Sequence, residues 1–232
     1  DVYKRQLAKD ILGERNSFSK TDPDATMMHM KYDYYNHTNV FKPGYNVQIG
    51  VNNGYIAYSQ ISPDVNDMKT AIPFLEGYRK QFGEYPKMVV TDAGYGSFGN
   101  YVYAQLHQIQ AIMKYPGYQK KKEKVTEKNQ FQLLHMKRTE EGVPICPEGY
   151  QFEAEKVTVD MKTGFPRTTI HYRNQHCEGC PMRSWCTTSK KGRSARVSPQ
   201  LEKIQNQVDA VLETEEGLSL IHISEPTRRV VI

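Results

Sequence analysis

Two runs of alternating apolar and polar residues, joined by an Asn-Gly pair, place the strongest constraint on how this chain can fold. The runs cover residues 45–51 and 55–61, and Asn53-Gly54 lies between them. An Asn-Gly pair readily takes up the left-handed backbone conformations that a tight turn between twisted antiparallel strands requires. The sequence therefore predicts a β-hairpin over residues 45–61.

Elements of both types follow the hairpin. Asn66 or Asp67 can cap a helix whose apolar residues recur at helical spacing and which ends near Gly83. Three further elements are predicted from short apolar runs: a buried strand at 87–91, a helix at 101–109 and a strand at 111–115. A hairpin that leads into alternating helices and strands predicts an α/β fold with a mixed sheet.

The flanking regions carry different patterns. Residues 7–26 are polar and without periodicity, so they are expected to form a loop. Residues 201–212 have an apolar stripe at helical spacing, which predicts an amphipathic helix.

Composition excludes several classes of protein. The chain has 232 residues, of which 38% are hydrophobic and 25% charged, with a mean hydropathy of -0.70, so it is neither disordered nor membranous. Four cysteines are too few for a disulfide-stapled secreted fold, so a reducing cytoplasm and no membrane partner are expected. A formal net charge of +5 is compatible with a polyanionic partner and with many ordinary enzymes.

Both ends of the chain resemble sequencing-adapter sequence. Residues 1–6 can be written in codons that resemble a transposon-end adapter, and residues 218–228 in codons that resemble its reverse complement. Residues 1–6 and 218–232 are therefore interpreted as adapter-derived and expected to pack poorly. The genuine segment is then expected to span about 7–217 of a longer gene, truncated at both ends.

A single acid follows the predicted strand at 87–91. Asp92 precedes the segment Ala93-Gly94-Tyr95-Gly96, and open α/β sheets bind their ligands at the carboxyl ends of strands. Gly94 and Gly96 let the backbone turn sharply and are expected to leave room for a bulky partner. Asp92 can equally well bond only the backbone of the turn, and spacing alone leaves both roles open.

Four short motifs occur in a fixed order along the chain. They are Ser-Lys-Thr-Asp-Pro-Asp-Ala at 19–25, Phe-Lys-Pro-Gly-Tyr-Asn-Val-Gln at 41–48, Asn-Asp at 66–67 with Ile-Pro-Phe-Leu at 72–75, and Val-Thr-Asp-Ala-Gly-Tyr-Gly-Ser at 90–97. In this order they resemble the catalytic domain of bacterial insertion-sequence transposases of the DDE class, in the subgroup with a cysteine-bearing insertion. The resemblance runs from about Ser19 to Gly217. It implies an incomplete ribonuclease-H-like fold in which Asp92 is the second acid of an Asp-Asp-Glu triad.

The resemblance also implies Mg²⁺-dependent DNA cleavage and strand transfer during transposition. Two Mg²⁺ ions about 3.5–4 Å apart must be held by carboxylates, and one carboxylate cannot hold both. In this family the first aspartate precedes the Asp22-Pro23-Asp24 motif and the glutamate follows Gly217. Both acids are therefore expected outside this chain, which is expected to be inactive alone. Asp22 and Asp24 lie in a turn cluster and are expected to have turn roles.

Partners and location follow from the same resemblance. The implied partner is DNA, both as transposon ends and as target, in the bacterial cytoplasm at the nucleoid. A homodimer of the complete protein is left open.

The four cysteines have spacing that suits a metal site. They are Cys146, Cys177, Cys180 and Cys186. Four soft ligands in a reducing compartment suit a tetrahedral structural Zn²⁺ ion, and His171 or His176 could replace one of them. Reduced thiols packed as small apolar residues, or a metal site lost in this copy, are the alternatives.

Basic residues flank the cysteines on both sides. The candidate DNA contacts among them are Lys120, Lys121, Lys122, Lys190, Lys191 and Arg193. The later residues belong to a basic stretch, Arg183 to Arg196, that contains Trp185 and no acid. Such a stretch suits phosphate contact but is equally typical of a solvated surface.

These patterns predict a domain organisation and a ranking of functions. Residues 7–118 are predicted to form a partial ribonuclease-H-like domain, 119–200 a basic, cysteine-containing insertion, and 201–217 the start of a helix. The leading interpretation is a fragment of a DDE transposase, and the alternative is a catalytically inactive, zinc-stabilised nucleic-acid-binding module. A structural or oligomerisation domain with incidental thiols is the third interpretation.

Overall fold

A computed structural model describes residues 2–29 and 40–215, together with positions 217 and 219. The chain divides into two compact units, of which the first comprises residues 1–89 and 107–110 and the second residues 90–106 and 111–232. The described residues contain both helices and strands along their length, and the strands form several small sheets. The predicted mixed α/β class is therefore confirmed, and it is consistent with an incomplete ribonuclease-H-like fold.

The first unit begins with a helix and two hairpins. Its elements are α1 (Val2–Leu12), β1 (Thr26–His29), β2 (Phe41–Gly44), β3 (Asn46–Asn52), β4 (Tyr55–Ser62) and α2 (Asp67–Phe82). β1 pairs antiparallel with β2, and β3 pairs antiparallel with β4. The predicted hairpin is thus confirmed as β3 and β4. Its turn residues Asn53 and Gly54 have φ angles of 51° and 82°, as the Asn-Gly pair indicated.

The β3–β4 hairpin buries polar groups. Gln48 is only 4% exposed, whereas Val47 and Ile49 on the opposite face are 53% and 52% exposed. The side-chain amide of Gln48 donates to Asn46 Oδ1 at 2.7 Å, and the Asn46 amide donates to Asp67 Oδ1 at 2.7 Å. A chain of side-chain hydrogen bonds therefore ties β3 to the start of α2.

Both ends of α2 are fixed as predicted. Asn66 is the N-cap, and its side-chain oxygen accepts a hydrogen bond from the backbone N–H of Met68 at 3.0 Å. Gly83 ends the helix with a φ of 82°, and its N–H donates to the carbonyl of Arg79 at 2.8 Å.

The expected loop at residues 7–26 is wrong at both of its ends. Residues 7–12 belong to α1, and Thr26 begins β1. α1 has no buried residues, but the Gln6 side chain donates to Asp10 one turn later at 2.9 Å. Local interactions and good helix formers therefore make this helix without the apolar stripe that a sequence pattern can detect.

The two terminal segments differ in what the structure describes. Residues 2–6 lie in α1 with exposed side chains. The expectation for residues 218–232 falls outside the described residues, apart from position 219.

The rest of the chain carries many short elements. They are β5 (Met88–Thr91), α3 (Phe98–Leu106), β6 (Gln110–Met113), α4 (Tyr118–Lys122), β7 (Lys137–Arg138), β8 (Pro144–Ile145), β9 (Glu153–Asp160), β10 (Arg167–Arg173), α5 (Arg183–Cys186), β11 (Ser194–Val197) and α6 (Pro199–Leu212). β5 pairs with β6 and β7 with β8, while β10 lies between β9 and β11 in an antiparallel sheet. α6 confirms the predicted amphipathic helix. None of the helices in the described ranges combines the length and apolar character needed to cross a membrane.

The second unit has two hydrophobic cores. The larger core joins α3, the β6 strand with the residues after it, and α6: Phe98, Tyr101, Ile112, Met113, Tyr115, Tyr118, Ile204, Val208 and Leu212. The smaller core packs Met136 and Phe152 against the β9–β10–β11 sheet. β5, which was predicted to be buried, is only half-buried, and Met88 is 37% exposed. In the described residues its sheet contains only one other strand, β6, which leaves much of its surface open.

Candidate functional site

Asp92 directly follows the last residue of β5. Its Oδ1 atom accepts a hydrogen bond from the backbone N–H of Gly94 at 2.6 Å, and its carbonyl accepts from Tyr95 N–H at 3.3 Å. The side chain is half-buried. The position at the carboxyl end of a strand is the one that the sequence predicted. The turn-bonding role that was left open beside it is also present, and the two are compatible because a carboxylate has several acceptor positions.

Gly96 has a packing role that differs from the expectation. A Cβ atom at this position would overlap the carbonyl oxygen of Lys114 and lie 2.8 Å from Cα of Tyr115. The space beside Gly96 is therefore filled by the chain's own backbone, so the expectation that Gly96 leaves room for a bulky partner is wrong. The glycine instead allows the Asp92 loop to contact the residues that follow β6.

Asn100 anchors the same loop from α3. This side chain is 4% exposed, and its amide donates to the carbonyl of Tyr95 at 2.7 Å. Ser97 Oγ in turn accepts from the Asn100 backbone N–H at 3.3 Å. The only sequence signal for this role was a polar residue within an apolar helix.

A buried acid that the sequence patterns did not indicate lies on α6. Asp209 is 9% exposed, and its carboxylate accepts from the Tyr115 hydroxyl at 2.8 Å and from Lys121 Nζ at 2.6 Å. Burial, followed by the hydrogen bond and negative charge of Asp209, raises the pKa of Tyr115 well above its ordinary value. Burial is also the main reason why the pKa of Tyr101 is raised. Asp209 therefore stabilises the core by accepting hydrogen bonds from Tyr115 and Lys121.

Asp22 has a turn role, as expected. Its carboxylate accepts from the Tyr45 hydroxyl at 3.0 and 2.9 Å and from the backbone N–H of Asp24 at 3.3 Å. The hydrogen bond to Asp22 is the main cause of a raised pKa of Tyr45. Across residues 2–29 and 40–215, no group of three or more histidine, cysteine, aspartate or glutamate side chains is arranged to hold a metal ion.

The four cysteines, although distant in sequence, line one small cavity. Cys146, Cys177, Cys180 and Cys186 surround a volume of about 20 Å³, with His176 also in its wall. All four are free thiols. Burial raises the pKa of the Cys186 thiol, and the other three cysteines add to this while Arg193 opposes it. His171 lies on β10 and contacts Thr158 at 2.9 Å.

The candidate DNA contacts fall into two groups. Lys121 is paired with Asp209, Lys122 with Glu213, and the Arg193 guanidinium donates to the carbonyls of Cys186 and Phe131 at 3.1 Å. These three therefore have structural partners within the protein. The second group consists of exposed residues: Lys120, Lys190 and Lys191.

Known protein families share much of this sequence. Two family models, each described as a transposase DDE domain, match residues 16–178 and residues 145–223. No curated protein and no solved structure matches the chain.

Proposed function

The chain belongs to the transposase DDE domain family, and on that premise we propose that Asp92 is a metal-binding carboxylate of a site that cleaves and joins DNA. The observation that carries the proposal is the placement of Asp92 directly after β5, in a loop held by Gly96 and Asn100. An acid on a fixed loop at a strand end can present its oxygens in one orientation, which metal-assisted phosphoryl transfer requires.

The carboxylate of Asp92 suits Mg²⁺ as a ligand, but only together with further ligands. Carboxylate oxygens are the ligands that this hard cation prefers. A bound pair of Mg²⁺ ions would supply activation of the attacking oxygen and stabilisation of the leaving oxygen. Among the described residues no three suitable side chains converge, so the described residues do not make such a site by themselves. Asp92 would be one ligand, and further acids would have to complete the set.

The first prediction concerns the activity of the 232-residue chain alone. Incubated with supercoiled plasmid DNA and Mg²⁺, it is expected to produce no nicking above background, because one carboxylate cannot hold two ions. The control is an Asp92→Asn variant, which identifies contaminating nucleases because they would nick equally well in both preparations. Nicking by the unmodified chain that Asp92→Asn abolishes would contradict the expected inactivity and would still support the role of Asp92.

The role of Asp92 itself is tested in a transposase gene that carries this segment and supplies the other two acids. An Asp92→Cys substitution is expected to abolish excision with Mg²⁺ and to regain part of it with Mn²⁺, which accepts a soft thiolate more readily. The inactive nucleic-acid-binding module instead predicts DNA binding without any dependence of activity on Asp92. Full Mg²⁺-dependent activity of Asp92→Cys would exclude Asp92 as a ligand.

DNA contact is proposed for the segment that follows Cys180. Trp185 on α5 is 72% exposed, an unusual position for a large aromatic side chain. Arg183 donates to the carbonyls of Ser189 and Lys190 at 3.2 and 3.3 Å, and Arg173 donates to the carbonyl of Lys191 at 3.3 Å. Two arginines thus hold the backbone of the loop whose lysine side chains are exposed. Exposed lysines on a fixed loop, near an aromatic ring in sequence, suit phosphate contact and base stacking.

The second prediction follows from this loop. The double variant Lys190→Ala/Lys191→Ala is expected to weaken duplex binding and to reduce the slope of log affinity against log salt by about 2. Fluorescence anisotropy over a salt series measures both quantities. Lys203→Ala, which removes an exposed lysine from α6, is the matched control and is expected to leave the slope unchanged. Equal slopes for the double variant and the unmodified chain would show that this loop does not contact DNA.

With DNA as the substrate, we further propose the bacterial cytoplasm, at the nucleoid, as the location of the protein. A homodimer of the complete protein remains part of this proposal, because joining DNA ends requires two ends to be held together.

A further inference from the structure

Three separate segments bring sulfur atoms to one cavity in the second unit. Cys146 directly follows β8, Cys177 and Cys180 lie in the segment between β10 and α5, and Cys186 ends α5. All four line a cavity of about 20 Å³, a volume that suits a single water-sized body. We propose that these four thiols bind one structural Zn²⁺ ion, at a site separate from Asp92 and independent of the proposed DNA chemistry.

Glycines with positive φ angles lie in the turns beside the cysteines. Gly149, with a φ of 87°, donates its N–H to the carbonyl of Cys146 at 2.8 Å and closes the first turn. Gly179, with a φ of 71°, lies between Cys177 and Cys180. A left-handed glycine lets the chain reverse tightly, so that side chains near the turn can point toward a common centre.

Gly192 brings a further segment against the sulfur of Cys177. A Cβ atom there would overlap the carbonyl oxygen of Asn174 and lie 3.4 Å from Cys177 Sγ. Only glycine allows this close approach. The next residue, Arg193, consequently places its backbone N–H 3.3 Å from Cys177 Sγ, where it donates a hydrogen bond to the sulfur.

The surroundings also suit the negative charge of a zinc-thiolate centre. Four thiolates and one Zn²⁺ ion carry a net charge of about −2, which needs nearby donors and positive groups. The Arg193 guanidinium donates to the carbonyl of Cys186 at 3.1 Å, and the Arg183 guanidinium donates to the carbonyl of Cys177 at 3.3 Å. Two cations are therefore held against the backbone of the ligand residues.

The other roles for these thiols fit the observations less well. Thiols that serve only as core filler would be fully buried, whereas all four are half-buried, although Cys146 also packs against the smaller core. Disulfide bonds would join the cysteines in pairs and would not require four of them around one central volume. The described sulfurs do not yet converge at ligand distances, so zinc binding has to draw them inward to about 2.3 Å from the ion. Metal binding is thus expected to tighten this part of the second unit.

The test uses the whole chain, prepared under reducing conditions and stripped of metal with a chelator. Titration with Co²⁺ alone is expected to produce the absorption bands of a tetrahedral thiolate site, saturating at one ion per chain and displaced by Zn²⁺. Protein expressed with added zinc should contain close to one zinc ion per chain. Metal content well under one per chain, or a mass lowered by the loss of thiol hydrogens to disulfides, would overturn the proposal.

Single substitutions identify the ligands. Cys146→Ser and Cys186→Ser are each expected to weaken Co²⁺ binding about 100-fold or more and to change the spectrum. His176→Ala is the matched control because His176 also lines the cavity, and it should leave the spectrum unchanged. Circular dichroism of each variant identifies any loss of fold. Should a serine variant not fold, the metal content and spectrum of the unmodified chain still decide the question. A Cys146→Ser protein with the unmodified spectrum would overturn the four-cysteine site, as would loss of binding in His176→Ala alone.

Discussion

A Gly96→Ala variant is expected to lose about 3 kcal/mol or more of unfolding free energy, or to displace the loop that carries Asp92. The added methyl group would overlap the carbonyl oxygen of Lys114 and lie 2.8 Å from Cα of Tyr115. Both are backbone atoms, so no side-chain rotation relieves the clash. Because the same loop places Asp92, any transposase that carries this substitution should also lose activity.

Urea denaturation compares this variant with Gly164→Ala. Gly164 lies in the turn between β9 and β10 with a φ of 82°, and a Cβ atom there meets nothing within 4 Å. That control introduces the strain of an alanine in the left-handed conformation without a steric clash, at a cost of about 1 kcal/mol. Equal destabilisation of the two variants would show that the close approach at Gly96 has no energetic significance.

An Asp209→Ala variant is expected to destabilise the second unit by about 3 kcal/mol. The substitution leaves the buried hydroxyl of Tyr115 without its acceptor and Lys121 without its counter-ion. The Lys121 side chain is 32% exposed, so water can still solvate its ammonium group in the variant. The expected loss therefore lies at the low end of the range for a broken buried ion pair. Thermal or urea unfolding measures the difference.

Two further substitutions separate the contribution of the buried contacts of Asp209 from that of an exposed ion pair. Asp209→Asn retains an acceptor for Tyr115 and is expected to cost less than Asp209→Ala. Glu213→Ala removes an ion pair with Lys122 whose acid is 62% exposed, and it should cost less than about 1 kcal/mol. An Asp209→Ala effect as small as that of Glu213→Ala would mean that the buried contacts of Asp209 contribute little.

Elements with local signals could be predicted from the sequence. The Asn53-Gly54 turn and the Asn66 and Gly83 caps depend on conformational preferences of a few adjacent residues, and the structure confirms each of them. α1 was missed because its stability is local but its residues have no buried face. Alternation predicted the β3–β4 hairpin without showing that Gln48 would be the buried residue.

The candidate site was predictable to a similar extent. Asp92 follows a short apolar run, so its place at a strand end could be inferred from sequence. The pairing of Lys121 with Asp209 could not, because it joins α4 to α6 across many residues and depends on tertiary packing. The sequence alone does not separate paired lysines from unpaired ones, and only the structure shows that Lys121 pairs with Asp209 and that Lys190 is exposed. The family residues that would complete the metal site stay a prediction.

The packing around α3 has a consequence for how such genes can be rearranged. A Cβ atom at Gly99 would lie 2.7 Å from the carbonyl oxygen of Thr163, and Phe165 packs on the core that contains Phe98 and Tyr101. Residues 163–165 belong to the segment between β9 and β10, far from α3 in the sequence. A recombination event that exchanged residues 119–200 as a cassette would therefore also replace part of the surface that supports α3. Chimaeras made from distant relatives should tolerate this exchange only when α3 is transferred with it.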